Sequence, residues 1–129
     1  MEGYDLWLIW NKWYGHRGIG GITCYIKKNI SPHARLYKQD PFNQYIWIEI
    51  MDMNSIKTYI AICYFAPINS NFYNKSNLDE NRPYNGIEND ICSLRNEGNI
   101  LLLGDINART SNNWATRKPN EGGCTSTSA

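Results

Sequence analysis

Asp105 and Asn107 stand two positions apart, directly after the aliphatic run Ile100, Leu101, Leu102, Leu103 and a glycine, in the string NILLLGDINAR. A carboxylate accepts a proton, and a carboxamide donates a hydrogen bond without changing charge. Side by side, the two can orient and deprotonate a water while the amide steadies a pentavalent phosphate, and Gly104 lets the backbone approach closely. The plainer reading of the same residues is an Asx-type turn that closes a buried strand, since Asp and Asn both favour turns. Ligands of α/β folds gather at the carboxyl ends of strands, which is where both residues lie if 100–103 is a strand. If the strand's two-residue period continues one step further, their side chains share a face.

The elements that must position them follow from the hydrophobic pattern. Residues 5–13 and 22–28 read as strands, joined through the Gly-rich string HRGIGG, with Pro32 ending the second. In 45–51 the alternation puts Ile46, Ile48 and Ile50 on one face and Tyr45, Trp47 and Glu49 on the other. The almost continuously apolar segment 57–65 fits a central strand, closed by Pro67. Residues 68–84, crowded with Asn, Ser, Asp and Pro, read as a long surface loop. Ile87, Ile91 and Leu94 recur at helical spacing and predict one amphipathic helix ending near Gly98, before a short strand of the buried type at 100–103. Strands with a single crossover helix imply an α/β or α+β layered domain.

With 42% apolar and 13% aromatic residues, the 129-residue chain has the composition of a globular domain, which excludes fibrous and disordered classes. It has no apolar run of about 18 residues, and its first residues carry acids where a signal peptide has a basic region. The expectation is a nuclear or cytoplasmic chain that is not secreted and has no membrane partner. Cys24, Cys63 and Cys92 sit in apolar segments without C-x-x-C spacing and read as buried free thiols. Net charge is +1, yet no acid occurs between Asp5 and Asp40, an interval that holds Lys12, Arg17, Lys27, Lys28, Arg35 and Lys38. A cationic stretch suits a phosphate backbone, and Arg17, Lys27, Lys28 and Arg35, with Arg109 beyond the GDIN string, are the candidate nucleic-acid contacts. The alternative is a solvated surface balanced by acids from elsewhere in the fold.

NILLLGDINAR resembles the GDFNA segment of the endonuclease/exonuclease/phosphatase family, and TYIAICYFAP resembles that family's strand ending in a Tyr-Ala-Pro turn. RGIGGITCYIKKNI and QYIWIEI resemble the strands preceding these motifs in the endonuclease domains of LINE-type non-LTR retrotransposons. The four segments run in the family's order over about residues 15–110. The resemblance implies a DNase I-like fold, here a partial two-sheet β-sandwich with flanking helices over 1–112; the polar composition of 113–129, ending in GGCTSTSA, reads as a disordered tail. It further implies Mg²⁺-dependent phosphodiester hydrolysis that nicks DNA, with Asp105 and Asn107 orienting the water and contacting the scissile phosphate. The family's aromatic residue falls on Phe65 when aligned on Ala66-Pro67, or on Tyr64 after a one-residue shift, and both stand as candidates. Asn69 corresponds to the family's Asn after that proline, one residue further on.

The family's metal-binding Glu and its terminal Asp-His pair have no counterpart in this sequence, which names no metal ligand of its own. This chain is therefore expected to be an impaired or inactive fragment of such an enzyme, with apolar faces such as Ile46/Ile48/Ile50 left uncovered. Two other readings remain. One is a non-catalytic nucleic-acid-binding remnant, and the other a phosphatase or RNA nuclease of the same fold, because the GD-x-N string does not identify the substrate.

Overall fold

The computed structural model describes residues 2–10, 13–14, 17–18 and 21–108. Strand β1 (Tyr4–Trp10) pairs antiparallel with β4 (Gly21–Lys27), and a short ladder joins β2 (Trp13–Tyr14) to β3 (Arg17–Gly18). The main sheet has the order β5-β6-β7-β8, built from β5 (Ala34–Gln39), β6 (Tyr45–Met51), β7 (Lys57–Tyr64) and β8 (Asn99–Asp105). Its first three strands are antiparallel neighbours joined by tight turns. In the second turn Asp52 Oδ1 accepts the backbone N–H groups of Asn54 (2.8 Å) and Ile56 (2.9 Å). The last pair, β7 and β8, is parallel, which a tight turn cannot connect. Helices α1 (Asn71–Ser76) and α2 (Arg82–Leu94) make the crossover.

Both faces of β6 are buried. Ile46 and Ile48 pack against Ile22 and Ile26 of β4, with Trp7, Cys24 and Ile62 around them. Tyr45 and Trp47 pack on the other side with Tyr59, Ala61, Cys63 and Phe65, beneath Ile87 and Leu94 of α2. The molecule is thus a mixed α/β chain in three layers: the β1–β4 hairpin, the four-stranded sheet and α2. Polar anchors tie the layers where apolar contact alone would let them slide. Trp47 Nε1 donates to Asp90 Oδ2 of α2 at 2.9 Å, and Arg82 holds the fully buried Asp40 through two hydrogen bonds of 2.8 and 2.7 Å. A paired charge of this kind fixes where α2 begins, because leaving Asp40 unpaired would cost several kcal/mol.

The structure corrects five expectations. Residues 45–51 and 57–64 are strands as expected, but Ile46 and Ile48 are covered by the β1–β4 hairpin and are not left open. β5 is an unforeseen strand: ARLYKQ has no clean alternation and stays mostly exposed, and its pairing is imposed by β6 through a register shift between Leu36 and Lys38. The loop expected over 68–84 contains α1 and the first turn of α2. Phe72 and Tyr73 pack with Ala66 there, so burial overrides weak local propensity, and Pro83 sits in the first turn, where proline is tolerated. Finally, β8 is longer than expected and is an edge strand among the described residues, with Leu101, Leu102 and Leu103 at 46%, 43% and 50% exposure. Cys24 and Cys63 are free thiols, whereas Cys92, half-buried on α2, is disulfide-bonded.

Burial, with the charges of Asp90 and Asp40 behind it, pushes the Tyr45 phenol up to about 12. An unfolded phenol titrates near 10, so the stability due to neutral Tyr45 is complete below about pH 10 and is lost as pH rises through about 12. Urea unfolding followed by circular dichroism across this window should show a steep alkaline decline in stability. Tyr45→Phe should flatten it by on the order of 1–2 kcal/mol. Equal slopes in the two proteins would contradict this assignment.

Candidate active site at the carboxyl end of strand β8

Because β7 and β8 run parallel, their carboxyl ends reach the same edge of the sheet, and the register sets Tyr64 beside Asp105 and Cys63 beside Gly104. Gly104 has φ of +126°, and a Cβ there would overlap the carbonyl oxygen of Cys63, so only glycine lets the strands stay together at this point. β8 ends at Asp105. Asp105 Oδ1 accepts the backbone N–H of Asn107 at 2.9 Å, and Asn107 adopts a left-handed conformation with φ of +46°. The carboxamide of Asn107 donates from Nδ2 to the carbonyl oxygen of Phe65 at 2.7 Å. The Asx turn foreseen as the plainer reading is therefore present.

This geometry also changes the reason for which the two side chains meet. The strand period does not continue to Asn107; its backbone N–H is held by the Asp105 carboxylate and its carboxamide by the carbonyl oxygen of Phe65, just after β7, and both residues line one cavity. Among the described residues Asp105 Oδ2 accepts no hydrogen bond, and the carboxamide retains its oxygen and a second N–H. Residues 104–108 line, with Pro67 and Ile68, a cavity of about 510 Å³. One carboxylate oxygen is thus spent on the turn, which fixes the carboxylate's direction and leaves the other oxygen for a water or a proton.

The two aromatic candidates separate sharply. Phe65 is 2% exposed, with its ring against Tyr45 and Tyr84, so only its backbone reaches the site. Tyr64 is 40% exposed and pairs with Asp105 along the strands, and it does not line the cavity. Asn69 lies in the exposed loop after Pro67 with φ of +65°, and its backbone N–H donates to Glu80 Oε1 at 2.8 Å; it does not line the cavity. Two residues that the sequence reading did not single out also fasten this edge. Gln44 Oε1 accepts the N–H of Ala66 at 3.1 Å, and the Tyr84 hydroxyl donates to the carbonyl oxygen of Ile106 at 2.6 Å. Both act over more than twenty positions of sequence, so no local pattern could signal them.

Of the cationic candidates, Lys27 at the end of β4 and Lys28 after it are exposed. Arg35 is engaged: its guanidinium grips Glu49 with bonds of 2.8 and 2.9 Å and lies 5.6 Å from the Tyr37 ring centroid. That hydrogen bonding holds the Glu49 carboxyl below its usual range against the opposing effect of burial. Lys38 is likewise paired with Asp90. Acids from β6 and α2 therefore balance part of the cationic stretch, as the alternative reading had it. Arg17 belongs to β3, and both its side chain and Arg109 lie outside the described residues, as does the 113–129 tail.

No set of three His, Cys, Asp or Glu side chains close enough to hold a metal occurs among the described residues. Mg²⁺ takes near-octahedral oxygen coordination, commonly from one or two carboxylates with water and substrate phosphates. Here the one carboxylate at the site, Asp105, has one oxygen committed to the turn and the other open. No helix among them is long and apolar enough to cross a membrane. Comparisons with protein-family models, curated proteins and solved structures found no match for this chain.

Gly104→Ala should destabilise the chain by at least about 1–3 kcal/mol in chemical denaturation, since it adds left-handed strain to an overlap with Cys63. Unchanged stability would mean that β7 and β8 are not in this register.

Proposed function

We propose that this chain carries the phosphate-handling edge of a DNase I-like phosphodiesterase domain, of the kind that nicks DNA in LINE-type retrotransposons. The observation that supports this reading most is the placement of Asp105 and Asn107 on one short turn, at the carboxyl end of β8, beside a polar cavity. Resemblance of four ordered segments to that endonuclease family supports the same assignment.

In this reading the free oxygen of Asp105 takes a proton from a water, and the water oxygen attacks the phosphorus of a DNA phosphodiester. The P–O bond to the 3′ oxygen breaks, the phosphate stays on the 5′ side, and the departing 3′ oxygen takes a proton from solvent to become a 3′-hydroxyl. The second N–H of Asn107 donates to a phosphoryl oxygen as negative charge builds there. Tyr64, exposed on the strand beside Asp105, carries the phenolic hydroxyl that Phe65 lacks, but it does not line the cavity. Mg²⁺, as the family resemblance implies, would supply charge neutralisation on the phosphate.

A second reading is favoured by the hydrogen bonds of the turn itself. Asp105 and Asn107 are each partly committed to local structure, while Lys27 and Lys28 remain exposed. That combination suits a nucleic-acid-binding remnant without catalysis, whose DNA or RNA affinity would fall steeply with salt.

A supercoiled-plasmid nicking assay separates the two. With Mg²⁺, the catalytic reading expects nicking that Asp105→Ala and Asn107→Ala each reduce about 10²-fold or more. Salt-sensitive binding by a folded chain with no nicking would favour the remnant and exclude catalysis by this chain.

A further inference from the structure

The cavity edge is held from one side by β7, and the structure shows a second hold that comes from the crossover helix. Tyr84 lies in the first turn of α2, two residues after Arg82, whose two hydrogen bonds to buried Asp40 fix the start of that helix. From there its hydroxyl reaches the carbonyl oxygen of Ile106, the residue between Asp105 and Asn107, at 2.6 Å. Its ring meets Phe65 edge to face, with centroids 4.9 Å apart and an interplanar angle of 87°. Phe65 in turn accepts the Asn107 carboxamide through its carbonyl oxygen and donates its N–H to the carbonyl oxygen of Asp105 at 2.9 Å. Tyr84 therefore touches the turn at its middle and supports the residue that grips both ends.

We infer that Tyr84 is a positioning residue that sets the relative orientation of the Asp105 carboxylate and the Asn107 carboxamide, an inference that rests on the proposed reading of those two groups. The turn needs such a hold. Asn107 is in a left-handed conformation, the turn is largely exposed, and Ile106 would otherwise present its carbonyl only to solvent. Burial, and then the nearby Asp105 charge, raise the phenol above the ordinary tyrosine range, and at neutral pH a phenol is a donor with or without that shift. Phenylalanine at 84 would keep the ring contact and lose only the donor, which makes the inference testable without dismantling the core.

The experiment compares ¹⁵N-labelled wild type with Tyr84→Phe, using amide hydrogen exchange and the side-chain amide resonances of Asn107, with the β6 amides as a measure of the whole fold. The inference expects the Asn107 backbone amide to exchange about threefold to tenfold faster in the variant and its carboxamide resonances to move, while β6 is unchanged. Unaltered Asn107 signals, or a loosening shared equally by β6, would overturn it. The same variants enter the Mg²⁺ nicking assay, where kcat is expected to fall about tenfold with KM unchanged. A full rate in Tyr84→Phe, with Asp105→Ala inactive, would also overturn it. Failure of every protein to nick would count against the phosphodiesterase reading alone, because the exchange data decide the clamp separately.

Discussion

The parallel pairing of β7 with β8 carries consequences through the whole chain. Two parallel neighbours cannot share a tight turn, so about 35 residues must leave the end of β7 and return to the start of β8. That length is only stable if it covers something, and α2 does so by laying Ile87 and Leu94 on the Tyr45, Trp47 and Tyr59 face of the sheet. The same pairing brings the Ala66-Pro67 turn and the Asp105–Asn107 turn to one edge, which no antiparallel arrangement of these two strands would do. Gly104 is the narrowest point of this constraint, because backbone meets backbone there with no room for a side chain.

Buried carboxylates then fix how the layers sit on one another. Asp40 receives Arg82, Asp90 receives both Trp47 and Lys38, and Glu49 receives Arg35. Such pairs add little net stability once desolvation is counted, but each penalises any shift that would break it. Apolar packing supplies the driving force; the ion pairs choose one docking of α2 and of β5 among many that burial alone would accept. They also absorb cations that, read along the chain, look available for nucleic acid.

Much of the fold was legible because alternation and long apolar runs are local signals. The boundaries of β6 and the identity of β7 follow from their side chains alone, although β6 reads as a strand with one strongly apolar face and Tyr45 and Trp47 on the other face are buried too. What covers each face was not legible, since the hairpin contact of Ile22 and Ile26 joins residues more than twenty positions apart. β5 and α1 were missed because their conformations come from neighbours: β5 from pairing with β6, and α1 from seating Phe72 and Tyr73 beside Ala66. At the site, the sequence reading joined Asp105 and Asn107 through strand period, whereas an Asx turn and the Phe65 carbonyl place them on one cavity edge. Tyr84, which the sequence left in a loop, could be recognised only after α2 was placed.

The central claim is that the turn at the end of β8 receives a phosphate of a nucleic-acid backbone. Its most direct test is a ¹⁵N chemical-shift titration of the chain with a short DNA duplex whose phosphodiesters are replaced by cleavage-resistant phosphorothioates. Saturable shifts centred on Gly104, Asp105, Asn107 and Ile68, and lost in Asn107→Ala, are the predicted result. Shifts confined to Lys27, Lys28 and their neighbours, with the β8 turn unmoved, would contradict it.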